Sequence, residues 1–196
     1  MAFYTGYVVL PTNTYLAWKN AVNGNGYDAD GYYGCQCWDL CAEFWWNVGF
    51  PQGYPLTGPN HAAKECWSVN RNNNISYGGT TYFDLIYNLA DVKQGDVIVW
   101  DGAGTGHIGF ADEDYDGSGY IATLGQNQGS GGTPPPISHP NGGTTANVNR
   151  LSTSGFLGAF RYREWNDAPT PPAHPSRTHF KWVLMRRRLN QMRNRM

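Results

Sequence analysis

At 196 residues the chain fits one domain of ordinary size with a short appendage, long enough to bury a core without disulfides. Its 14 Lys+Arg against 15 Asp+Glu give a net charge of -1, but residues 177–196 hold seven bases and no acid, which leaves -8 on residues 1–176. A Gly count of 25, 12 Pro and 15% aromatic residues argue against a helical bundle and a disordered chain alike, and no run of eighteen apolar residues is present to cross a membrane.

The first predicted element is a helix over about 37–48, where Leu40, Cys41, Phe44, Trp45 and Val48 recur at helical spacing before Gly49 and Pro51. A second helix is expected over His61–Val69, capped by Asn60, with Ala62, Cys66 and Val69 on one face. Residues 70–79 read as a polar loop. After Gly95 the period changes, and strands are expected over 96–100, 106–111, 120–124 and 156–163. Asp112–Gly117 reads as a solvated acidic hairpin tip, and 129–147, rich in Gly and Pro, as a long surface loop. The order is helices first and then an antiparallel sheet, an α+β domain over 1–165. Residues 166–176 form a Pro-rich linker. In 177–196 the positions Trp182, Met185, Leu189, Met192 and Met196 share a helical stripe opposite Arg187, Arg188 and Arg195, as in a basic amphipathic tail.

The residues from Met1 to Gly6 show no basic stretch followed by an apolar one, so no secretory signal and a cytoplasmic synthesis are expected. A disulfide framework is then not expected for Cys35, Cys37, Cys41 and Cys66, and their spacing fits no common zinc site. Cys41 and Cys66 fall on apolar helix faces and read as core. Cys37 opens the first helix, where the partial positive charge of a helix N-terminus favours a thiolate. His107 starts a strand after a glycine-rich turn and is the candidate general base. Asn127, at the end of the next strand, is the candidate to hold the imidazole. Cys, then His, then Asn is the papain-type chain order.

Five segments carry a more specific resemblance: Gly34–Asp39 (GCQCWD), His61–Trp67 (HAAKECW), Gln94–Trp100 (QGDVIVW), Gly106–Ala111 (GHIGFA) and Gly125–Asn127 (GQN). In order and spacing they resemble the cysteine, histidine-dependent amidohydrolase/peptidase (CHAP) family over about residues 15–163. The resemblance implies a papain-like fold, akin to NlpC/P60 domains, and the catalytic module of a bacteriophage endolysin that cuts a peptidoglycan amide bond. The implied bond is the N-acetylmuramoyl-L-alanine amide or one within the wall peptide. It implies Cys37 as nucleophile, His107 as base, and Gln36 as an oxyanion donor beside the Cys37 N–H. One position departs from the pattern: many members carry Glu where this chain has Gly125. Synthesis in the host cytoplasm, with action at the wall after release, is the implied route.

Directly before the nucleophile, Asp28, Asp30 and Asp39 stand at positions 1, 3 and 12 of a loop, an oxygen set suited to a hard cation such as Ca²⁺. The glycine at position 4 separates it from an EF-hand. The family resemblance adds the backbone carbonyls of Tyr32 and Gly34, and gives the ion a structural role. Peptidoglycan is the expected partner. The tail is expected to meet anionic wall polymer or a membrane surface rather than nucleic acid, and a monomer is expected. Two other readings compete with the enzyme: a catalytically weak or inactive calcium-dependent wall-binding module, suggested by Gly125 and the many aromatic residues, and a virion-associated wall-degrading structural protein.

Overall fold

The computed structural model describes residues 1–73, 75–102 and 104–166. The linker beyond Asn166 and the basic tail at 177–196 lie outside the described residues. In chain order the elements are β1 (Phe3–Thr5), α1 (Tyr15–Val22), β2 (Gly26–Asp28), α2 (Cys37–Asn47), α3 (Glu65–Asn73), β3 (Ser76–Tyr77), β4 (Thr80–Thr81) and β5 (Phe83–Ile86). A short 3-10 turn at Leu89–Asp91 follows, then β6 (Val97–Trp100), β7 (His107–Ala111), β8 (Tyr120–Gly125), β9 (Asn147–Ser152) and β10 (Phe156–Tyr162). Strands β5 to β10 form one six-stranded sheet in the order β5-β10-β6-β7-β8-β9, antiparallel at every pairing. The α+β, papain-like architecture is therefore present. No described helix is long and apolar enough to cross a membrane.

Helix α2 carries the core. Leu40, Cys41, Phe44 and Trp45 are all fully buried, at the spacing that puts them on one side of a 3.6-residue helix. They meet Val97 and Val99 of β6, Ile108 and Phe110 of β7 and Phe160 of β10. The Phe44 ring stands edge-on to Phe110 at 5.2 Å, and Trp45 stacks on Phe83 at 4.3 Å. The alternate strand residues Ile98, Trp100, Ala111, Ile121 and Ala159 form a second cluster. This packing seats the first residue of α2 beside the first residue of β7.

Two helices differ from the sequence expectation. Helix α1 falls in a stretch with no predicted element; it is capped by Thr14, whose hydroxyl accepts from Ala17 N–H at 3.0 Å, and buries Tyr15, Trp18 and Val22. Helix α3 begins at Glu65 rather than His61 and runs on to Asn73, into the expected polar loop. His61 has φ 53°, which no right-handed helix accommodates, and the chain turns through Ala62–Ala63 first. Asn60 does not cap the helix; its side chain donates to Glu65 at 2.7 Å, and Glu65 also accepts from Ala62 N–H. The expected hairpin tip at 112–117 is tied down as well. Asp112 accepts from Tyr15 Oη at 2.9 Å and Lys19 Nζ at 2.7 Å, and so fastens α1 to the end of β7.

The long loop before β9 folds back over the start of α2. Cys35 N–H donates to Gly142 O at 3.0 Å, and Thr144 N–H to Cys35 O at 3.1 Å. Glycine is required at 143 for this approach, since a Cβ there would collide with the Cys35 carbonyl.

Candidate active site

Cys37 is the first residue of α2, and the turn before it is fixed by Asp39. One Asp39 oxygen accepts from Gln36 N–H at 2.8 Å and the other from Ala29 N–H at 2.9 Å. Because α2 packs on β7, the Cys37 sulfur receives the backbone N–H of Ile108, the residue after His107. The structure thus brings Cys37 and the His107 strand end together.

Burial dominates the protonation of both groups. It pushes the Cys37 thiol up to about 11, against the opposing N–H groups of Ile108, Trp38 and Cys37 itself, while the Asp39 charge adds to the rise. Burial also pushes His107 down to about 4, with a hydrogen bond to the Gln128 carboxamide oxygen opposing it. At neutral pH the pair is a thiol beside a neutral imidazole. The helix N-terminus favours a thiolate, and desolvation opposes it here.

The third polar group also differs from expectation. Asn127 does not meet the imidazole. Its backbone is left-handed (φ 52°), its side chain is exposed and donates to Gln36 Oε1 at 2.7 Å, and its N–H donates to Thr144 Oγ1 at 3.0 Å. Gln36 in turn donates one Nε2–H to Tyr33 O at 2.6 Å, which leaves the second N–H of its amide for an oxyanion. The residue against the imidazole is Gln128, with Oε1 3.4 Å from His107 Nε2. Gln126, fully buried, fastens the neighbouring segments: Oε1 accepts from Tyr27 N–H, and Nε2 donates to Tyr27 O at 2.8 Å and Gln36 O at 2.9 Å. Gln126 lay inside the GQN segment without a role assigned to it, and Gln128 lay just beyond it. The available signal was three consecutive carboxamides, Gln126 to Gln128, just after a strand.

The loop ahead of α2 gathers the three predicted carboxylates. Ligand oxygens of Asp28, Asp30 and Asp39 lie within 4.8 Å of one another. Asp28 is buried, and its Oδ1 has no hydrogen-bond partner among the described residues. Burial raises the Asp39 carboxyl to about 8, and the charges of Asp30 and Asp28 add to that. An orphaned buried oxygen inside a cluster of like charges is what a bound cation would relieve, so the donor set fits one. Of the two backbone positions, the Gly34 carbonyl accepts from Gln36 N–H at 2.9 Å, and Tyr32 N–H donates to Asp30 at 2.8 Å.

A cavity of about 450 Å³ opens on the Gln36–Trp38 side of the nucleophile, walled by Tyr32, Tyr33, Thr57 and His61. Tyr33 and His61 both have positive φ, 63° and 53°, an uncommon strain for such side chains at a cleft rim. A smaller hollow of about 210 Å³ reaches His107 and Gln128 from the other side, bordered by Trp100 and Leu151.

No family model matches the chain. Over 121 residues, 59% of its length, it is 37% identical to the D-alanyl-L-alanine endopeptidase of Streptococcus phage B30, of which it spans 25%. Among solved structures it resembles the wild-type endolysin LysIME-EF1 with a TM-score of 0.54 and 25% identity, covering 76% of this chain and 62% of that one. The chain thus spans a quarter of the curated relative's length and under two thirds of the structural neighbour's. A papain-like α+β fold is the class defined. Within that class the chain is similar to a CHAP-like module of phage endolysins, as its motifs implied.

Proposed function

We propose that the chain is a phage peptidoglycan hydrolase that cuts an amide bond of the wall peptide by cysteine nucleophilic catalysis. The observation that carries this reading is the Cys37 sulfur at the N-terminus of α2, under the Ile108 N–H and one residue from His107. As the sulfur attacks the substrate carbonyl carbon, its proton passes to the free imidazole nitrogen. Proton loss during attack suits a high-pKa thiol beside a neutral imidazole better than a preformed ion pair. The resulting oxyanion meets the N–H groups at the start of α2, joined by the second N–H of the Gln36 amide, whose first is held by Tyr33 O. The imidazolium then protonates the leaving amine. It next takes a proton from the water that hydrolyses the thioester.

The name of the phage B30 relative favours a peptide bond of the D-alanyl-L-alanine kind over the N-acetylmuramoyl-L-alanine amide. Mass spectrometry of muropeptides released from purified walls separates the two: new D-alanyl carboxyl termini with the lactyl–peptide amide intact support the endopeptidase, and free lactyl carboxyl groups on the glycan would redirect the assignment to an amidase.

Calcium is the cation proposed for Asp28, Asp30 and Asp39, with the Tyr32 and Gly34 carbonyls completing its shell. When bound it supplies positive charge that holds the three carboxylates together. Asp39 then keeps both backbone N–H groups that set the start of α2. The basic residues of 177–196 are proposed to attach the enzyme to anionic wall polymer or membrane surface. Deleting 177–196 is expected to weaken binding to cells while sparing hydrolysis of soluble muropeptides; equal binding by both forms removes that role.

A further inference from the structure

The side chain beside His107 is fixed from three directions. Gln128 is buried, and its Nε2 donates to Thr123 O at 2.7 Å, Asn147 O at 2.6 Å and Asn147 Oδ1 at 3.2 Å. All three are acceptors, so the amide cannot flip without setting an oxygen against three oxygens. Its Oε1 therefore faces the imidazole and can only accept, which makes His107 Nε2 the protonated nitrogen and leaves Nδ1 with a free lone pair. The separation of 3.4 Å is at the long end for such a bond.

Gly125 makes this arrangement possible. A Cβ at 125 would sit 2.6 Å from Gln128 Oε1 and 3.5 Å from His107 Nε2. A side chain on β8 at that position and the Gln128 amide would compete for one place beside the ring. The left-handed turn at Asn127 (φ 52°) sends Asn127 outward and brings Gln128 back under the strand it follows. Trp100 lies on the ring's flank, 5.7 Å between centroids.

We propose that Gln128 is the positioning residue of His107: its carboxamide, seated in the space left by Gly125, locks the Nε2–H tautomer and leaves Nδ1 free to act as the base. This rests on the reading of His107 as the base, but its first readout does not. Long-range ¹H–¹⁵N correlation spectra of the full chain report the tautomer directly. In the wild type a single Nε2–H form is expected for His107. Gln128→Leu, which keeps the volume and loses the acceptor, is expected to give a mixed tautomer and a fall in kcat of about tenfold or more with KM held. Gln128→Glu restores an acceptor and adds charge. It is expected to keep the Nε2–H form and move the acidic limb of the kcat/KM profile upward by a unit or more, a change that a merely structural role would not produce. Gly125→Ala is expected to expel the amide and reproduce the Gln128→Leu spectrum. A wild-type Nδ1–H or mixed tautomer overturns the proposal whatever the variants do. So does an unchanged tautomer in a folded Gln128→Leu. Locked tautomers in a protein whose Cys37→Ala variant still hydrolyses walls would instead overturn the catalytic reading and leave the positioning intact.

Discussion

Glu43 lies on the nucleophile helix, fully buried, with one oxygen accepting from Val8 N–H at 3.1 Å and the other unpartnered among the described residues. No cation faces it among the described residues, and burial raises its carboxyl from 4.5 to about 7. The folded protein thus keeps a proton that the unfolded chain releases above pH 4.5. Stability from this group is complete below that pH and is lost as pH rises through 7. The gap between the two values corresponds to roughly 3 kcal/mol, at about 1.4 kcal/mol per pH unit. Glu43→Gln is neutral at every pH and does not lose it. Tyr27, which feels the Glu43 charge, is itself raised by burial and ionises well above this range. Urea unfolding of both proteins between pH 4.5 and 8, at fixed calcium, is expected to show the wild type losing about 3 kcal/mol relative to the variant. The loss should also appear as faster exchange of the Val8 amide, because Glu43 and Asn47 together pin residues 8–10 to α2. A difference that stays constant over that range would refute the argument.

Two further outcomes follow from ion pairing. Asp96 is 1% exposed and is held by Arg161 through contacts of 2.9 and 2.8 Å, so Arg161→Met leaves a buried carboxylate without its cation and is expected to cost about 3 kcal/mol. Adding Asp96→Asn should recover part of that, and chemical denaturation of the single and double variants checks both. Asp28→Asn is expected to abolish the calcium-dependent rise in melting temperature, which at a hundredfold excess over Kd corresponds to about 2.7 kcal/mol in the wild type. An equal calcium response in both proteins would remove the site.

Helix α2 and strands β6, β7, β8 and β10 were legible because their apolar residues repeat at helical or alternating spacing and face one core. The carboxylate triad was legible because its members sit within one loop and one helix turn. The edge strands β5 and β9 were not: β9 reads NVNRLS, polar on the face an edge strand shows to water. Helix α1 offered Thr14 as a cap and Tyr15, Trp18 and Val22 at helical spacing, but over only eight residues. At the site, chain order pointed to Asn127. Which of two adjacent carboxamides reaches His107 depends on the left-handed backbone at Asn127, and a sequence motif does not carry that. The surroundings of the thiol were hidden for a related reason. The pull of the helix N-terminus follows from sequence position, whereas the burial that opposes it depends on how α2 packs on β7.

The central claim is that Cys37 attacks an amide bond of the wall peptide with His107 taking its proton. The most direct measurement is the rate at which new amino termini appear in purified peptidoglycan, for the wild type against Cys37→Ala and His107→Ala at equal concentration and saturating calcium. The account predicts steady release by the wild type and none above background from either variant, with both variants folded. Undiminished release by either one would contradict it.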